Sequence, residues 1–174
     1  MMSDSIVFYF VYATGPNTDM RTFSVYRAAS SADAEDTEIY KFYHPVTGLN
    51  IGVTTFYRQN LQTQVFETAG AIEWLSKSNA TVQFGIEEVS IRDLRKAKKS
   101  SSKSRRFKAG GSSYKWKIAE SEANLFCVDS RGRTIATWSQ DQLQLRVASR
   151  VEDILDRLVV TCMLNLWIRY LGEW

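Results

Sequence analysis

Short runs rich in Val, Ile, Thr, Phe, Tyr and Trp recur along the chain at close spacing, each ended by a turn signal. The first covers residues 6–13 and is closed by Thr14-Gly15-Pro16-Asn17; residues 22–27 follow. Residues 39–44 and 50–57 flank Pro45-Val46-Thr47-Gly48, a hairpin connection. Segments 64–68, 71–75, 81–84 and 89–94 come next. After a basic stretch the pattern resumes at 114–118, 124–128, 134–138 and 142–147, with a turn at Asp129-Ser130-Arg131-Gly132. In Tyr114-Lys115-Trp116-Lys117-Ile118 the large apolar residues point one way and both lysines the other. Ile72-Glu73-Trp74 and Val82-Gln83-Phe84 alternate in the same way. About a dozen strands without helical crossovers predict an all-β, antiparallel fold.

The end of the chain changes period. Ser149-Arg150-Val151-Glu152 reads as a capping box, and Glu152, Asp153 and Asp156 load the first turns with negative charge. From Leu158 to Leu171 the helix is apolar almost all round, with one polar line at Thr161, Asn165 and Arg169; Gly172 then supplies a stop. A surface helix carries only one apolar stripe, so this one must be buried on nearly every side. It is also too short to span a bilayer. The expected fold is a closed, roughly twelve-stranded antiparallel barrel wrapped around a buried hydrophobic C-terminal helix. Strands would occupy about 6–147, a basic loop about 95–106 and the central helix about 150–171, all within a single domain 1–174.

Composition narrows the choices. With 174 residues, 44% of them apolar and 24% charged, the chain is globular and long enough to need no staple. One histidine (His44) and two cysteines (Cys127, Cys162) argue against a His-rich metal site and a disulfide framework. The leading charge, Asp4, and the brevity of the apolar run after it favour a strand over a secretory signal. No run of 18 apolar residues offers a transmembrane helix. A cytoplasmic location, peripheral to a membrane, is the expectation.

Charge is unevenly spread. Residues 92–108 hold nine of the 22 basic side chains and one of the 19 acidic ones, which leaves 13 basic and 18 acidic elsewhere. The segment also carries Ser100, Ser101, Ser102 and Ser104 and has no apolar periodicity from Lys96 to Ser104, so it reads as an exposed, mobile loop.

One resemblance emerges from these motifs. The segment Arg105-Arg106-Phe107-Lys108-Ala109-Gly110-Gly111-Ser112-Ser113-Tyr114-Lys115-Trp116-Lys117 is similar to one in a fungal domain family of unknown function, common in mushroom-forming fungi. Ile72-Glu73-Trp74, the turn at Asp129–Gly132 and the acidic-to-apolar run from Glu152 to Thr161 match the same family in the same order. That family in turn resembles the tubby C-terminal and phospholipid-scramblase-like barrels, which implies strands wrapped around a hydrophobic helix. It implies no catalytic residue.

A basic loop attracts polyanions. The favoured reading is a non-enzymatic binding module for an anionic membrane surface or phosphoinositide. Its contacts would be Arg95, Lys96, Lys98, Lys99, Lys103, Arg105, Arg106 and Lys108, with Lys115 and Lys117 on the neighbouring strand. Nucleic acid is disfavoured, because strand alternation turns the stacking candidates Tyr114 and Trp116 inward. The chemistry-bearing residues are sparse: His44 sits at a turn before Pro45, and Asp33, Glu35 and Asp36 lack calcium-loop spacing. No catalytic residue, metal or cofactor is expected. Two further readings are a pocket protein or enzyme for a small apolar or aromatic compound, with Asn165 and Arg169 as the pocket floor, and a protein–protein interaction module.

Overall fold

The computed structural model describes residues 4–49 and 51–174. Asn50, at the head of the strand expected over 50–57, and Met1–Ser3 lie outside the described residues. Twelve strands form: β1 Ser5–Tyr12, β2 Phe23–Arg27, β3 Thr37–Tyr43, β4 Gly52–Gln59, β5 Phe66–Trp74, β6 Ala80–Phe84, β7 Glu87–Ser90, β8 Ser104–Ala109, β9 Ser112–Ile118, β10 Leu125–Asp129, β11 Thr134–Ser139 and β12 Gln144–Ala148. A helical turn, α1 (Ile91–Leu94), follows β7, and a long helix, α2 (Leu155–Tyr170), follows β12.

The number of strands agrees with the alternation, but two of them arise differently. Segments 64–68 and 71–75 are one strand, β5, because Gly70 lets the backbone run through without a break. The missing strand comes from the basic stretch: β8 occupies what reads as the end of a loop. At 89–94 the chain turns helical, since Ile91 and Leu94 are both buried at a spacing of three while Arg92 and Asp93 are exposed.

The barrel is not closed. The mostly antiparallel sheet has the order β7-β6-β5-β4-β3-β2-β1-β12-β11-β10-β9-β8, with β7 and β8 at its open ends. β7 has only four residues, and the outer edge of β8 is already used: Lys96 and Arg106 exchange backbone hydrogen bonds of 3.0 and 2.8 Å. That bridge also pins the basic segment, and a turn closed by Ser102 N–H on Lys99 O (3.0 Å) shapes its tip.

The chain divides into two compact units, residues 9–91 and residues 1–8 with 92–174. In the first, consecutive strands carry a ladder of phenylalanines. Phe10–Phe23, Phe23–Phe42 and Phe42–Phe56 have ring centroids 4.9, 4.4 and 5.2 Å apart. On β5 the register position is Gly70, and across it Phe56 meets Phe84 of β6 at 6.1 Å. Beside the ladder, Trp74 Nε1–H donates to Thr54 Oγ1 (2.9 Å), which lies 2.8 Å from His44 Nδ1. Asp19 holds the buried Arg21 at 2.7 Å, and the Arg21 guanidinium lies 5.1 Å from the Trp74 ring.

In the second unit α2 is buried from Leu158 through Ile168, on every face. Its start differs from the expected capping box. Ser149–Ile154 is a 3-10 turn whose N-cap, Ala148, makes no side-chain cap; Val151 is non-helical, and both Val151 and Ile154 are buried. Apolar burial therefore overrides the regular first turn. The far end stops at Gly172 (φ +78°), where Gly172 N–H donates to Arg169 O (2.9 Å) and Glu173 N–H to Ile168 O (3.0 Å), the Schellman pattern. Trp116 of β9 anchors the helix by donating to Thr161 Oγ1 at 2.8 Å. Among the described residues no helix is long and apolar enough to cross a membrane.

Candidate anion-binding face

Register decides which basic residues of the second unit are free. In β8, β9 and β10, Arg105, Trp116 and Cys127 are paired in one row, and all three are buried. The row one residue along pairs Arg106 with Lys115 and Lys115 with Val128; the next pairs Ser104 with Lys117 and Lys117 with Phe126. Period-two alternation therefore sends Arg105 inward and Arg106, Lys115 and Lys117 to the opposite face.

Arg105 is 5% exposed, and its Nη1 donates to Ser102 O (2.7 Å) and Ser104 O (2.8 Å). Its Nη2 donates to the main-chain oxygen of Trp174, and its guanidinium lies 5.2 Å from the Trp174 ring. Arg95 approaches the same ring at 5.3 Å and donates Nε–H to Asn165 Oδ1 at 2.6 Å. Burial, and then the positive charge of Arg105, push the Arg95 guanidinium down to about 10. Asn165 also donates Nδ2–H to Thr161 O (2.9 Å), and Arg169 donates to the main-chain oxygens of Glu122 and Ala123. Four residues singled out in the sequence are thus held by protein partners: Arg95 and Arg105 from the basic set, Asn165 and Arg169 from the helix.

The rest of the set is accessible. Lys96, Lys98, Lys99, Lys103 and Lys108 are exposed, and Arg106, Lys115 and Lys117 are half-buried. Lys96 pairs with Asp93 at 3.7 Å. Lys115 has Arg106 opposite it, with Lys117 and Lys98 as further like-charged neighbours, and no ion pair links any of the four to a carboxylate among the described residues. The Lys115 ammonium is pushed down first by Lys117, then by partial burial, then by Arg106 and Lys98. Uncompensated like charge is directly legible there.

The sequence offered no hint of a concavity at this place. Arg106, Lys115, Lys117, Phe126, Ser130 and Thr134 are among the residues that line a surface hollow of ≈ 470 Å³. It lies beside a bulge where Ile135 of β11 has no partner, since Cys127 pairs with Ala136 and Val128 with Thr134. Asp129 borders it as well, but its oxygens are committed. Oδ1 accepts from the Arg131 and Arg133 amides (2.9 Å each), and Oδ2 accepts from Arg133 Nε (2.8 Å) and lies 3.6 Å from Arg150. Burial pushes the Asp129 carboxyl up, but the Arg133 and Arg131 donors together outweigh it and hold the group below its ordinary value.

A profile of a family of unknown function, DUF6593, matches residues 22–169. The chain belongs to this family. The matched span takes in β8, β9 and the whole hollow of this DUF6593 member. Among solved structures it is similar to a protein with unknown function from Bacteroides fragilis, at 15% identity and a TM-score of 0.33, over 75% of this chain and 78% of that one. No curated protein matches the chain.

Proposed function

We propose that this protein is a non-enzymatic binding module that associates with anionic phospholipid at a membrane surface. Lys96, Lys98, Lys99 and Lys103 of the turn before β8, with Arg106, Lys108, Lys115 and Lys117, make the contact. One observation carries the reading: Arg106, Lys115 and Lys117 share one face of the β8–β9 pair, and no ion pair ties them to a carboxylate among the described residues, while Lys98 adds a further like charge near Lys115. Retaining such repulsion costs stability unless an anion relieves it. Each basic group near an anionic leaflet contributes about 1 kcal/mol before screening, so four turn lysines give measurable attachment at low ionic strength.

Co-sedimentation with phosphatidylserine-containing vesicles tests this, using wild type against a variant with Lys96, Lys98, Lys99 and Lys103 all replaced by Ser. Wild type should pellet at low salt and the variant should not, with a thermal midpoint no lower than that of wild type, because all four side chains lie outside the core and loss of Lys98 relieves like charge near Lys115. Wild type remaining in the supernatant, or both proteins pelleting alike, refutes the membrane reading.

A further inference from the structure

Resting on that reading, we propose that the hollow bounded by Arg106, Lys115 and Lys117 is a site for a phosphate monoester carried on a small polyol. Cross-strand pairing puts Arg106 and Lys115 directly opposite each other, so their Cβ atoms stand about 5 Å apart. Lys117 follows two residues along β9 on the same face. A guanidinium fork and two ammonium groups thus stand at neighbouring positions on one face, the donor set that a dianionic phosphate requires.

Among the described residues no carboxylate forms an ion pair with these three cations. Asp129, the carboxylate that borders the hollow, spends its oxygens on Arg133, Arg150 and the turn amides. The remaining lining suits the rest of such a ligand. Half-buried Phe126 offers an apolar floor for ring C–H groups, and the Ser130 and Thr134 hydroxyls can exchange hydrogen bonds with ligand hydroxyls. A volume of ≈ 470 Å³ holds a phosphorylated six-membered ring and falls within the usual size of small-molecule sites, about 300–1,000 Å³. A flat membrane-contact face would need charge alone. A concave site with an apolar side chain, hydroxyls and three neighbouring cations selects a headgroup.

The experiment titrates wild type with inositol hexakisphosphate by calorimetry, and repeats the titration with Lys115→Gln, Arg106→Gln and a Lys99→Ser/Lys103→Ser variant of the turn. Wild type should bind saturably, and either substitution in the hollow should weaken binding roughly tenfold, the effect of removing one charge-assisted contact. The turn variant should bind the soluble probe as wild type does while losing attachment to phosphatidylserine vesicles. Phosphoinositide vesicles, with the hexakisphosphate as competitor, identify the source. Displacement of bound protein assigns a lipid headgroup, whereas soluble binding without vesicle attachment assigns a free phosphate ester and overturns only the membrane reading. Vesicle attachment without saturable binding of the soluble probe overturns the hollow alone. Equal affinity in wild type, Lys115→Gln and Arg106→Gln overturns it as well.

Discussion

Arg105 and Arg106 are neighbours in the chain and face opposite ways. One lies under the Trp174 ring with its donors on Ser102 and Ser104; the other stands beside Lys115 at the hollow. Composition treats them alike, as does a count of basic residues. Alternation does not: counting back in twos from Ala109 and Phe107, which are buried, reaches Arg105 and skips Lys108 and Arg106. The signal was present but short, and the serines around it mask the strand. Asn165 was legible as a buried polar group in need of a partner; that the partner is Arg95, 70 positions away, depends on tertiary contact alone. His44 carries a prediction of its own. Its Nδ1 lies 2.8 Å from Thr54 Oγ1, which also accepts from Trp74, whereas its Nε2 is buried without a hydrogen-bond partner. Burial first, and then the Arg21 charge, push the imidazole below its ordinary value, and Asp19 only partly offsets them. The folded state therefore binds the proton less readily than the unfolded chain. Its stability should be full above a pH of about 6.5 and decline as pH falls below that toward the lowered folded-state value. Thermal midpoints between neutral and mildly acidic pH should fall less in His44→Gln than in wild type. Parallel curves for the two proteins would rule out His44 as a contributor.

At the scale of elements, the alternating segments located most of the strands, because a strand with one buried face must write period two into its side chains. The errors lie where backbone rather than side chain decides. Gly70 looks like an interruption, yet there β4 and β6 pack too closely on β5 to leave room for a side chain. An added Cβ would stand 2.0 Å from Gln83 O and 2.3 Å from Phe56 Cζ. The bulge that leaves Ala69 unpaired, between the Phe56–Gly70 and Tyr57–Thr68 pairs, sits next to it. Gly70→Ala must therefore push apart a backbone carbonyl and a ring of the phenylalanine ladder. Its cost should reach about 3 kcal/mol, the upper end for overpacking a filled core. Ala71→Gly, one position along and half-buried on the other face, should cost only about 1 kcal/mol. Urea denaturation of the two variants checks the contrast. A Gly70→Ala protein as stable as wild type would mean that the ladder does not close over β5. Sheet closure is a different matter, since alternation is identical in an open sheet and in a barrel. At the β8 end of the sheet the outer edge already bonds its own unit, since Lys96 occupies Arg106.

Across the whole molecule, the modest net charge of +3 conceals a partition. Residues 1–8 with 92–174 hold 17 basic and 10 acidic side chains, net +7, while residues 9–91 hold 5 basic and 9 acidic, net −4. The asymmetry was legible in the sequence; the face it occupies was not, because register and the β11 bulge set that. Salt should act on this protein in two opposite directions. Attachment to anionic vesicles should weaken as ionic strength rises, since the Debye length shrinks from about 30 Å at 0.01 M to about 8 Å at 0.15 M. Stability should instead rise. Ionic screening relieves the repulsion among Arg106, Lys98, Lys115 and Lys117, whereas the exposed pairs it weakens, such as Lys96–Asp93 and Lys41–Glu38 at 3.7 and 3.6 Å, contribute little. Lys115→Gln should be more stable than wild type at low salt and respond less to added chloride, because it removes the charge at the centre of the cluster. Thermal unfolding in a chloride series provides the measurement. A wild-type midpoint that falls with salt, or an equal slope in Lys115→Gln, would show that the four charges are not in mutual repulsion and would remove the shared basis of both binding proposals.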